Sequence, residues 1–232
     1  MAQVHESKFP FEFGIHAGAN VYLGDLTPSA IGSYKTIDLT AGFNVDAIIS
    51  DAFLLRVNYN RGKLRGDDAV YNDKPWRQQR NLKFNATLNE YSAMVVWDIL
   101  AQNRETQTAL APYIFAGVGY STASIQRDYS RFNRQFFTSQ PSVIAGLNAD
   151  LANPLPKNIR VLPIGFGVRH SLTPIVAVEV EWSFRFCSSD YLDGFSNAAD
   201  TKQSDHFYSL VAGLIFSPGK KTGEHDIPCP KW

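Results

Sequence analysis

The stretch 175-IVAVEVEWSFRF-186 decides the fold. Val176, Val178, Val180, Trp182, Phe184 and Phe186 share one parity, and Glu179, Glu181, Ser183 and Arg185 share the other. A strand repeats its side-chain direction every second residue, so this segment has one apolar face and one ionic face. Two environments accept such a strand. In a soluble sheet the apolar face packs a core and the ionic face meets water. In a transmembrane barrel the apolar face meets lipid and the ionic face fills the interior.

The rest of the chain chooses between them. Strand patterns recur over Phe11–Leu23, Thr36–Ile48, Phe53–Lys63, Asn81–Ile99, Ala111–Ser124, Arg160–His170, Ile175–Phe186 and Asp205–Phe216. Short links (49-ISDA-52, 171-SLTP-174) and the intermediate 101-AQNRETQTAL-110 alternate with long polar ones at Gly24–Lys35, Leu64–Arg80, Ile125–Ile159 and Cys187–Ser204. An up-and-down membrane barrel sorts its connections this way, with short turns at one end and long loops at the other. A Greek-key sandwich has no reason to. The expectation is therefore an all-β, eight-stranded antiparallel up-and-down transmembrane barrel, its interior filled by side chains. The fourth segment changes phase: Leu82, Phe84, Ala86 and Leu88 share one parity, whereas Tyr91, Ala93, Val95, Trp97 and Ile99 share the other. An extra residue near Asn89–Glu90 would restore the register, so a β-bulge is expected there. Aromatics near strand ends (Phe9, Phe11, Phe13, Tyr22, Tyr34, Tyr59, Trp97, Tyr113, Tyr120, Trp182, Phe216) read as interfacial girdles.

Composition excludes several functions. Lys plus Arg and Asp plus Glu each total 22, so the net charge is zero and nothing favours nucleic acid. The uncharged run Thr106–Gln126 contains Pro112, Gly117 and Gly119 and a strand-like centre, which argues against a membrane helix. The polar start 1-MAQVHESK-8 carries no signal peptide and is expected to be the mature end left after cleavage. Cys187 and Cys229 are read as unpaired thiols on opposite sides of a membrane. The five histidines have no ligand spacing, and no Gly-x-Ser-x-Gly elbow or complete nucleotide-binding glycine motif occurs, so no metal or cofactor is expected. Gly117, Gly119, Gly165 and Gly167 read instead as room for bulky interior neighbours. The acidic segment 190-DYLDGFSNAAD-200 lacks calcium-loop spacing and reads as an ordered external loop, packed down by Tyr191, Leu192 and Phe195.

The ionic faces collect Glu12, His16, Asp38, Arg56, Glu90, Arg169, Glu179, Glu181 and Arg185. Charges inside a narrow barrel must be paired, because an isolated buried charge costs several kcal/mol. Arg56, Glu90, Arg169, Glu179, Glu181 and Arg185 are thus expected to form an interior ion-pair network, Arg56 beside Glu90 and Arg169 beside Glu179 and Glu181. The alternative is an acid–base carboxylate pair, Glu179 and Glu181, two apart on one face.

Four segments, 13-FGIHAGANVYLGDL-26, 80-RNLKFNATLNEYSAMVVWDI-99, 112-PYIFAGVGY-120 and 190-DYLDGFSN-197, resemble in sequence and order a family of small outer-membrane barrels of Bacteroidota, the PorG-type proteins associated with type IX secretion. The segment Gln126–Pro156 matches less well. The resemblance implies an outer-membrane, non-enzymatic protein, and a periplasmic partner of the PorK–PorN ring type. The strand limits and loop parity divide the chain into a periplasmic segment 1–10, a barrel 11–216 and a periplasmic tail 217–232, and the resemblance agrees with that division. The resemblance also makes the short-turn side a docking surface, with Ser50, Asp51, Asn103, Arg104, Glu105, Lys220 and Lys221 as candidates. The rival functions are surface binding or adhesion through the long loops, a small lipid-modifying enzyme, and a soluble lipid-carrying barrel.

Overall fold

The computed structural model describes residues 11–29, 31–100, 110–198 and 205–218. Eight antiparallel strands pair in chain order and close into a barrel. They are β1 (Phe11–Leu23), β2 (Ile37–Ile48), β3 (Phe53–Asp67), β4 (Lys83–Asp98), β5 (Leu110–Asp128), β6 (Asn158–Ser171), β7 (Val176–Cys187) and β8 (His206–Phe216). Closure is by β1 against β8.

The pairing fixes the shape of the barrel. One outward row runs Phe11, Ala47, Leu55, Val95, Ala116, Ile164, Phe184, Tyr208 and returns to β1 at Val21, ten residues beyond its start. This stagger tilts the strands by roughly 35–45° and leaves an interior only wide enough for side chains. Every residue in the row is apolar or aromatic; all but Val21, which is buried beside Gly32 of the first loop, lie on the outer surface.

Strand lengths show what the sequence pattern concealed. β3 ends at Asp67 and β5 at Asp128, each four residues beyond the expected limit. With β4 they rise above the apolar belt. Below a row of outward aromatics, Tyr59, Tyr91 and Tyr120, the outer face carries Phe53, Leu55, Val57, Ala93, Val95, Trp97, Ile114 and Val118. Above it the outer face turns polar, with Arg61, Lys63, Arg65, Lys83, Asn85, Thr87, Asn89, Thr122, Ser124 and Gln126. The inner face changes at the same level, from Arg56, Asn58, Asn60, Glu90 and Ser92, mixed with Leu54, Met94 and Val96, to Leu64, Phe84, Ala86 and Leu88.

The expected bulge at Asn89–Glu90 is absent. The β3–β4 ladder runs unbroken from Phe53 opposite Trp97 to Asp67 opposite Lys83, and β4–β5 is equally continuous. The phase change belongs to the solvent, not the backbone. Lipid takes the apolar parity below Tyr91, and water takes the polar parity above it. Two of the expected girdle aromatics also point inward: Tyr22 and Tyr113 are buried. Phe9 lies outside the described residues.

The upper interior is a true core. Tyr22, Leu26, Leu64, Leu82, Phe84, Leu147, Ile159, Leu192, Phe195 and Phe207 pack together, drawing on five strands and all four long loops. Two helices sit in those loops, α1 (Pro75–Arg80) and α2 (Pro141–Ala152), each with proline in its first turn where the missing N–H is harmless. No described helix is long and apolar enough to cross a membrane.

The inversion predicts opposite tolerances along one strand. Val95→Lys should destabilise the barrel in bilayers by about 2–4 kcal/mol, whereas Thr87→Lys on the same outward parity should cost about 0–1 kcal/mol. Equilibrium unfolding in lipid vesicles measures both.

Candidate functional site: an ionic brace at the turn end and a latched cap at the loop end

The lower interior is held by charge. Arg56 meets Asp46 bidentately, Nε to Oδ1 at 2.8 Å and Nη2 to Oδ2 at 2.8 Å. It also contacts Glu181 and lies 3.6 Å from Glu179. Arg169 reaches Glu12 at 2.7 Å, Glu179 at 3.3 Å and Asp46 at 3.5 Å. The Tyr113 hydroxyl lies between Glu179 (3.0 Å) and Glu181 (2.7 Å). Both guanidiniums sit over its ring, at 5.9 and 5.7 Å. Six strands meet in this brace: β1, β2, β3, β5, β6 and β7. Gly167 opposite Tyr113 and Gly165 opposite Phe115 make the room, since a Cβ at either would come within 2.5 Å of the facing ring.

The sequence-based pairing differs in two respects, at Arg56 and at Arg169. Arg56 stands opposite Met94, not Glu90, and turns to Asp46 beside it and Glu181 across the barrel. Glu90, four residues further up β4, pairs with Arg185 at 3.2 Å. Arg185 also bonds Ser183 and Ser209. Arg169 lies beside Glu179 and reaches Glu12 instead of Glu181. Asp38 faces the upper rim, 3.9 Å from Arg65. Sequence reasoning left out Asp46 and Tyr113, although both have interior parity on their strands. Glu179 and Glu181 are buried and engaged by Arg56, Arg169 and Tyr113, so the acid–base alternative would have to give up these bonds to react.

The turn end opens on a cavity of about 20 Å³, lined by Glu12, Asp51, Asp98, Arg169, Thr173 and Ser217 among others. That holds about one water. Ser50 accepts from the Phe53 N–H within the β2–β3 turn. Ser217 donates to Glu12 at 2.9 Å, and its N–H donates to Ile175, so the chain leaves β8 tied to the brace. Asn103, Arg104, Glu105, Lys220, Lys221 and Cys229 lie outside the described residues. The Cys187 thiol is free and packs at the edge of the upper core. Among the described residues no group of three His, Cys, Asp or Glu is placed to hold a metal.

The loop end is interlocked. Asp68 receives Arg77 at 3.2 Å and Arg80 at 2.6 Å. Those arginines also donate to the carbonyls of Thr27 and Asp25, joining the second loop to the first. Asp150 of α2 accepts from the Asn197 and Ala198 N–H groups, joining the third loop to the fourth. In 190-DYLDGFSNAAD-200, Leu192 and Phe195 are fully buried, and the Tyr191 hydroxyl is bonded by Asn153 and Asn197.

Beneath this loop, the Tyr22 hydroxyl lies 2.8 Å from Asp193 and in contact with Asp205. Asp205 also accepts from the Leu192 and Asp193 N–H groups, at 2.8 and 3.3 Å. A phenol has one proton and cannot serve two carboxylates, so one carboxyl must hold a proton of its own. Burial pushes the Asp205 carboxyl up to about 7, and burial beside Asp205 holds Asp193 well above the usual carboxylate range.

This is the architecture of a small outer-membrane β-barrel with a filled interior. Residues 1–215 match the family model described as "Domain of unknown function (DUF6089)", and the chain belongs to that family. The barrel is similar to Neisserial surface protein A, NspA, at 16% identity over 89% of this chain and 96% of that one, with a TM-score of 0.53. OprG of Pseudomonas aeruginosa aligns at 12% identity over 90% and 97%, TM-score 0.44. The outer membrane enzyme PagL aligns at 10% over 88% and 98%, TM-score 0.36. At these identities the likeness to NspA speaks for the fold alone. No curated protein matches the chain.

Two outcomes follow. Arg56→Met should cost about 3–5 kcal/mol in equilibrium unfolding, because it leaves Glu181 buried without its cation and Asp46 with Arg169 alone, at 3.5 Å. The loop latch should weaken with rising pH. A carboxyl whose folded pKa is raised binds protons more tightly when folded, so its stabilisation is full below the unfolded value near 4 and is lost as pH rises through about 7. Hydrogen exchange at the Leu192 and Asp193 amides, corrected for intrinsic rates, should show protection falling across that window, and Asp205→Asn should flatten the dependence.

Proposed function

We propose that the protein is a non-enzymatic outer-membrane barrel that anchors a periplasmic partner, as a component or accessory of the type IX secretion machinery. The observation that carries this reading is the position of the brace. It stiffens the short-turn end, and Ser217 ties the start of the tail directly to it. A side-chain-filled interior offers no route for a solute, so the barrel's contribution is positional. Lipid-facing residues fix depth, and the brace fixes the turn end, with the 49–52 and 172–175 turns and the start of the tail at Ser217 held beside it. The resemblance to PorG-type proteins supplies the partner class, a periplasmic ring of the PorK–PorN kind.

A second reading, surface binding through the long loops, is favoured by the interlocked cap at the other end. Deleting residues 219–232 keeps Ser217 and its bond to Glu12. The anchoring reading expects that deletion, combined with Ser50→Ala and Asp51→Ala, to abolish co-purification of a periplasmic complex from native membranes while the barrel stays folded. An undiminished complex would refute it. Loss of partner only on disrupting the cap, for example with Asp150→Ala, would favour the surface reading.

A further inference from the structure

Just above the tyrosine row the outward charges of β3 are all positive. β3 presents Arg61, Lys63 and Arg65 in succession, and β4 adds Lys83 at the top. The facing positions on β4 are neutral: Asn89, Thr87 and Asn85. The acids of this sector stand at its upper edge. Asp67 is 3.4 Å from Lys83, Asp128 faces Lys83 across the β4–β5 ladder, and Asp38 reaches Arg65 at 3.9 Å, where Arg65 also donates to the Ile37 carbonyl at 3.0 Å. Arg61 bonds the neutral Asn89 at 3.2 Å, and Lys63 has no ion pair among the described residues. Self-repelling cations on one strand with so little compensation point to an anion from outside the chain.

Depth narrows the choice of anion. Asn89 accepts from both Arg61 and the Tyr59 hydroxyl, which lies 3.1 Å away. Tyr59 belongs to the interfacial row, its ring tilted against Tyr91 at 5.1 Å and Phe43 at 5.3 Å. Amphipathic aromatic rings settle at headgroup level. The cations therefore begin where hydrocarbon ends. Beside them β2 keeps an apolar outer face, with Ile37 and a Leu39 that is 75% exposed. A cationic strip next to an apolar strip, at headgroup depth, matches a molecule with phosphate above acyl chains. Arginine suits it further, since its planar fork takes phosphate oxygens bidentately.

We propose that Arg61, Lys63 and Arg65, with Leu39 and Ile37 beside them, form a binding site for a phosphorylated lipid headgroup of the leaflet at the long-loop end. The phosphate seats on the three cations and the acyl chains lie against β2. This site goes beyond the anchoring role and does not depend on any periplasmic partner.

The test uses the full chain in nanodiscs of phosphatidylcholine with equal amounts of bisphosphorylated lipid A and its fully dephosphorylated form. Lipids retained by the barrel are counted by native mass spectrometry. The wild type should enrich the phosphorylated form several-fold, and R61Q/K63Q/R65Q should return the ratio to that of the bulk lipid. The loop variant R131Q/R134Q removes the same kind of charge elsewhere and should keep the enrichment. Heat-dependent gel mobility checks that each variant is folded. Equal retention of the two lipids by the wild type, or undiminished enrichment by the triple variant, would overturn the proposal. So would a triple variant that loses binding to a soluble sulfated glycan but leaves the lipid ratio unchanged, which would assign the cations to a soluble polyanion.

Discussion

Hydrocarbon offers the backbone no hydrogen-bond partner, and this constraint governs the whole molecule. A sheet in lipid must close, and here β1 returns to β8. Closure with eight strands and a ten-residue stagger produces a narrow tube that side chains must fill. The β5–β6 pairs skip from Ala116–Ile164 to Gly119–Val161, flanking Pro163, which has no N–H to give. Filling the tube with charge then demands that each carboxylate meet a cation, and Arg56 and Arg169 do this by being shared among Glu12, Asp46, Glu179 and Glu181. Each level of organisation follows from the one before: closed ladder, narrow bore, paired plug.

The same strands serve two solvents. Around the lower barrel the apolar parity faces outward and the ionic parity inward. Above the tyrosine row β3, β4 and β5 leave the lipid, and both faces exchange roles. The upper part is built like a small soluble protein, with Phe84, Leu147, Leu192 and Phe195 at its centre and polar side chains outside. Its loops are clasped through buried carboxylates: Asp150 gathers N–H groups of the fourth loop, and Asp68 holds the two arginines of its own loop that reach the first. The protein thus has a charged core and an apolar core in one continuous sheet, each suited to the medium around it.

Much of this architecture was legible in the sequence. Parity at Ile175–Phe186 and the alternation of loop lengths led to the eight-stranded barrel, because a period of two and a short-turn end are local properties. The polarity inversion was misread as a bulge at Asn89–Glu90, since a change of surrounding medium and an inserted residue leave the same trace in a one-dimensional pattern. Interior membership could be read from parity, but the pairing could not. Which carboxylate Arg56 meets depends on strand stagger and on reach across the bore, and neither is written along one strand. The Tyr22–Asp193–Asp205 cluster was invisible for the same reason, Tyr22 lying 171 and 183 residues from the two aspartates.

The central claim is that the bore is filled and the barrel acts by position, not by passage. Single-channel recording of the purified protein in planar bilayers tests it most directly. The braced interior predicts a silent membrane, with no discrete conductance steps at moderate voltage. Stable, reproducible openings would mean that the plug is not closed, and would contradict the account at its base.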